Sequence, residues 1–117
     1  MSNYSKTSVA PGARVELHDL LALTGAEISV NQLPAGASVP FVHAHKQNEE
    51  IYGVLAGKGK AELDGETVAI SQGDWLRVAP AAKRRFFAAE DEGITYICIQ
   101  VKAGSLAGYT ANDAVML

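Results

Sequence analysis

The chain has 117 residues, which suits one domain around one hydrophobic core. Its hydrophobic fraction is 48% and its charged fraction 20%, a balance that excludes an intrinsically disordered chain. The formal net charge of -3 argues against a nucleic-acid backbone as the partner.

The opening stretch, MSNYSKTSVAPGARV, is polar and carries no basic segment followed by an apolar one. No secretory signal and no membrane span are therefore expected, and the expected location is cytoplasmic. Residues 1–12 read as a flexible segment ahead of a single domain over 13–117. LHDLLAL is either a turn of helix or an early strand. After it the chain is cut into short apolar or alternating pieces, beginning with EISVNQL and EIYGVLAG. KAELDGETVAI has two alternating arms around Asp64-Gly65, a pair that supplies the positive φ angles of a tight hairpin. Gly57, Gly65 and Gly73 fall eight residues apart, the rhythm of successive strands. DWLRVA, RRFFA and ITYICIQV continue it. The expectation is an all-β domain of about eight to ten short strands, a sandwich or small barrel.

The chemistry is concentrated in HAHKQNEE, residues 43–50. In a strand, residues two apart share a face, so His43 and His45 point the same way. If Glu50 faces them, so do Tyr52 and Val54; if Glu49 does, Ile51 and Gly53 follow. Two imidazoles and a carboxylate form a facial set of three ligands that leaves coordination positions open. Such a set suits Fe, Mn, Ni, Co or Zn as a divalent ion.

PAGASVPFVHAHKQNEEIYGVLAGKGKAELDG resembles the first motif of the cupin superfamily. His43-Ala-His45 is followed by four residues and Glu50, then by six residues and Gly57; Gly36 stands one residue further upstream than the usual spacing. QGDWLRVAPAAKRRFFA resembles the second motif through Gly73, Asp74 and Pro80. The resemblance covers about residues 26–101 and implies a double-stranded β-helix, or jelly-roll, barrel. It also implies a fourth ligand, a histidine, in the second motif. Counting from Pro80, Arg85 stands at that place, and one extra residue separates Gly73 from Pro80. A guanidinium cannot ligate a metal. Either the ion is held by three side chains and water, or it has been lost and an Arg85–Glu50 pair replaces it. An inward Arg85 also suits a small anionic molecule.

Around this centre, Gln47 is placed either on the histidines' face or in a turn, and Tyr52 either in the cavity wall or in the core. Cys98, the only cysteine, is read as a buried packing thiol. His18 has no partner nearby in sequence and is read as structural or exposed. In ITYICIQV, Ile94, Tyr96, Cys98 and Gln100 share one face, while the opposite face is aliphatic apart from Thr95. That second apolar face points to a homodimer, as the cupin resemblance also does. The functional expectation is a metal-binding pocket, with metal-dependent chemistry on a small anion such as dioxygen insertion or isomerisation. The competing expectation is a non-catalytic, metal-free module that binds or senses a small molecule. No catalytic residue is assigned.

Overall fold

The computed structural model describes residues 2–117. Its strands are β1 (Arg14–Glu16), β2 (Glu27–Leu33), β3 (Asn48–Leu63), β4 (Glu66–Ser71), β5 (Trp75–Val78), β6 (Arg84–Ala88) and β7 (Ile94–Lys102). LHDLLAL resolves as one helical turn, α1 (His18–Leu21), and a 3-10 turn covers Thr110–Asn112. Every strand pairing is antiparallel.

Seven strands replace the expected eight to ten because β3 runs through two of the segments expected to be separate. Its first part lies between β7 and β5, and its second between β4 and β6. The strand passes from one sheet to the other at a register shift between Val54 and Ala56, next to Gly57 at φ 78. Gly57 is thus a bend within a strand rather than a turn between two, the role a bulge plays at a barrel corner. A Cβ at Gly57 would lie 1.9 Å from Gly93 O, so the two backbones meet where only glycine fits. Asp64 (φ 50) and Gly65 (φ 84) form the hairpin between β3 and β4.

The result is a jelly-roll barrel of two sheets. Strand alternation fills it: Tyr52 and Val54 from β3, Phe86 and Ala88 from β6, and Ile94, Tyr96 and Cys98 from β7 are all buried. Tyr52, Phe86 and Tyr96 form one aromatic cluster, with ring centroids 4.2–6.0 Å apart. One inner region is polar instead, where Ser29, Asn31, Glu50 and Arg84 are buried. Residues 2–13 form no helix or strand. No helix among the described residues is long and apolar enough to cross a membrane.

Candidate functional site

The segment carrying the histidines is extended but is not a regular strand. Pro40 lacks a backbone donor, and pairing is confined to isolated bridges, Ser38 with Phe87 and His43 with Arg84. His43 exchanges both backbone hydrogen bonds with Arg84, at 3.1 and 2.9 Å, and His45 N donates to Pro80 O at 2.8 Å. These contacts fix the segment along β6 and the turn before it. Both imidazoles therefore face the inner end of β3.

Glu50 is the inward glutamate. Its side chain is 5% exposed, while Glu49 turns outward and pairs loosely with Arg77 at 3.9 Å. Glu50 Oε1 accepts hydrogen bonds from Tyr52 Oη at 2.5 Å and from Arg84 Nη1 at 2.7 Å. Glu50 Oε2 accepts from Cys98 Sγ at 3.3 Å. Burial alone would raise the Glu50 carboxyl, but the donors Tyr52, Arg84 and Cys98, with His45 beside them, outweigh it and hold it below the ordinary range. Glu50 is thereby kept anionic inside the barrel. Burial is also the main reason that Tyr52 and Cys98 stay protonated, with the thiol pushed up to about 12. Loss of hydration lowers His43 despite the nearby carboxylate, which favours its neutral, ligating form.

The cation beside Glu50 is Arg84, not Arg85 as counting from Pro80 placed it. Arg84 is fully buried, and its guanidinium also donates to the carbonyls of Ala79, Pro80 and Ala82. These carbonyls line the 79–82 turn, so one side chain ties that turn to the carboxylate. Arg85 points to the other side of β6. Its Nε donates to Val39 O at 2.7 Å and its Nη2 to Ser38 Oγ at 3.1 Å, over the Phe87 ring. Arg85 still lines the same cavity, from its wall. Tyr52 lines it too; Gln47 is exposed and outside it. His18 stands apart, bonded to the exposed Asp19.

The donor set fits a metal ion. His43, His45 and Glu50 each offer a ligand atom, all within 4.8 Å of one another. Two donors about 2.1 Å from one ion lie at most about 4.2 Å apart, so a small side-chain shift closes the set. His45 Nε2 is buried, lies 3.2 Å from Glu50 Oε2 off the line a hydrogen bond requires, and has no hydrogen-bond partner. A buried ring nitrogen left without a partner costs stability unless something binds it.

The comparisons with known proteins agree with this geometry. Residues 29–100 match the family described as Cupin domain. The chain is a cupin. A crystal structure of a cupin protein from Bacteroides fragilis superimposes with a TM-score of 0.97 at 65% identity, over 100% of this chain and 99% of that one. A Cupin 2 conserved barrel domain protein from Salinispora arenicola gives a TM-score of 0.70 over 85% of this chain and 92% of that one; at 17% identity this speaks to the fold alone. An uncharacterized protein of Methanocaldococcus jannaschii is 27% identical over 85 residues, 73% of this cupin. The matched region spans 63% of that relative's length.

Two parts of this cupin's centre were not singled out as site residues in its sequence. Arg84 was legible only as one of three consecutive basic residues; alternation with the buried Phe86 and Ala88 was the signal that places it inward. Cys98 read as packing, yet its thiol touches the carboxylate.

Proposed function

We propose that this cupin binds one divalent metal ion through His43, His45 and Glu50 and presents it to a small anionic molecule in the cavity. The observation that carries the reading is the buried, partnerless His45 Nε2 facing Glu50 Oε2. Glu50 Oε1 already accepts two strong hydrogen bonds and Oε2 only that of the Cys98 thiol, so Oε2 is the more available oxygen for an ion. When bound, the ion supplies Lewis acidity and open coordination positions. Charge favours an anion as the second guest. Arg84 cancels Glu50, so a bound divalent ion keeps its full double charge.

Elemental analysis of protein purified without chelator tests the reading, beside a His43→Ala/His45→Ala variant. Near-stoichiometric metal in the first and none in the second supports it; no metal in either, even after reconstitution, ends it.

A second reading, a metal-free binding or sensing module, is favoured by the Arg84–Glu50 pair itself. That pair satisfies the buried carboxylate without an ion. Anion binding by chelator-treated protein of unchanged affinity would select it.

The partner we propose for the outer face is a second copy of the chain. Ile28, Val30, Ile51, Ile97 and Ile99 form an apolar, half-buried outer face on one sheet, with Trp75 61% exposed beside them. The apolar Leu106 and Tyr109 towards the C-terminus are exposed as well. A homodimer would cover such surfaces.

A further inference from the structure

We propose that the cavity takes a small carboxylate carrying an apolar body, and that Arg14 holds the carboxylate at the mouth. The inference rests on the cavity assigned above and names the class of its anion.

Exposure gives the depth of each group. The side chains of Glu50, His45, His43 and Arg14 are 5%, 25%, 34% and 53% exposed, so Glu50 is the floor and Arg14 the rim. Between them the wall is uncharged: Leu33, Val39, Phe41, Phe86 and Tyr96. The volume is about 380 Å³. At about 30 Å³ per water that is room for roughly a dozen waters, which limits the guest to a small molecule.

Arg14 is held in place from below. Its Nη1 donates to Asn31 Oδ1 at 3.0 Å, and Asn31 Nδ2 donates to Ser29 Oγ at 3.0 Å. Asn31 and Ser29 are 5% and 1% exposed, a buried polar support on β2 for a rim guanidinium. Glu16 lies 3.6 Å from Nη2, beyond hydrogen-bond range and in solvent, so it leaves that edge of the fork available. On the other sheet Arg85 also lines the cavity, with its guanidinium engaged by Val39 O and Ser38 Oγ. The only acid in the lining is Glu50, and Arg84 neutralises it. A supported guanidinium over an uncharged wall selects a planar anion whose remainder is apolar.

The test is calorimetric titration of the full chain, chelator-treated and Mn2+-loaded, with hexanoate and phenylacetate against hexanamide, phenylacetamide and acetate. The two larger acids should bind saturably. The amides and acetate should bind at least tenfold more weakly. Arg14→Gln should weaken both acids at least tenfold, leave the amides unchanged and keep a cooperative urea transition; Arg14→Lys should restore part of the loss. Equal binding of acids and amides, wild-type acid affinity in Arg14→Gln, or no probe bound by either form would overturn the proposal. Metal content of the same preparations separates the two readings. Bound metal without acid selectivity defeats this inference alone, whereas acid selectivity without metal defeats the metal reading alone.

Discussion

Arg84 Nη1 lies 2.7 Å from Glu50 Oε1, and the two side chains are 0% and 5% exposed. An ion pair this deep does not stabilise a barrel greatly relative to an apolar pair, but breaking it from one side is expensive. Arg84→Met leaves Glu50 without its cation and the 79–82 carbonyls without their donor. Glu50→Gln leaves Arg84 buried without its anion. Each should lower the free energy of unfolding by about 3–5 kcal/mol, measured by urea denaturation. The double variant should lose less than the sum. Additive losses would show that the two groups are not coupled.

Metal should stabilise without being required for folding, because Arg84 already satisfies the carboxylate. Chelator-treated protein should keep its cooperative unfolding transition. A metal at a hundred times its dissociation constant should add about 2.7 kcal/mol to the wild type and nothing to His43→Ala/His45→Ala. Thermal melts with and without metal decide this. Collapse of the fold on chelation would contradict it.

The alkaline limit is set in part by the buried tyrosines. Burial, the largest cause, pushes Tyr96 up to about 12 and Tyr52 further in the same direction. A folded value above the unfolded one of 10.0 means the stabilising contribution is complete below pH 10 and is lost as pH rises toward the folded value. Stability should therefore fall from about pH 10 upward, with phenolate absorbance from these two residues appearing only near pH 12 or on unfolding. Tyr96→Phe should flatten the decline. A full phenolate signal from all four tyrosines of folded protein at pH 10.5 would refute the assignment.

Two glycines in β3 should respond differently to alanine. At Gly57 the new Cβ meets backbone, Gly93 O at 1.9 Å, and φ is 78. Strain and clash should together cost more than about 3 kcal/mol. At Gly53 the Cβ meets the ring of Trp75 at 2.5 Å, an exposed side chain that can swing aside. Gly53→Ala should cost under about 1.5 kcal/mol and shift the Trp75 fluorescence instead. Equal losses would contradict the difference drawn here between backbone and side-chain obstruction.

Light scattering should give twice the 12.3 kDa chain mass at low micromolar concentration. Trp75→Glu and Ile97→Glu, on the proposed shared face, should return the monomer. A wild type that is monomeric at that concentration would remove the dimer.

The site's local part was legible because extended backbone, regular strand or not, sends residues two apart to the same side. The spacing of His43 and His45 marks a candidate set with Glu49 or Glu50, and the structure turns Glu50 inward together with the apolar Tyr52 and Val54 that follow in its phase. The cation was not legible by counting. The 79–82 segment closes a turn, Ala82 N to Ala79 O at 3.2 Å, just ahead of β6. The phase of RRFFA is therefore set by pairing with β3, Leu63 opposite Arg84, and not by distance from Pro80. Arg14 was hidden for another reason: its support, Asn31, is 17 residues away and is reached only through the β1–β2 pairing. The number of strands was overestimated because Gly57 resembles a turn glycine, while its near neighbour Gly93 belongs to a distant part of the chain.

Calorimetric titration of chelator-treated protein with Mn2+ and Zn2+, beside His45→Ala, tests the central claim most directly. The account predicts one ion per chain for at least one of the two metals and no binding to the variant. No heat of binding in the wild type, or the same stoichiometry and affinity in His45→Ala, would contradict it.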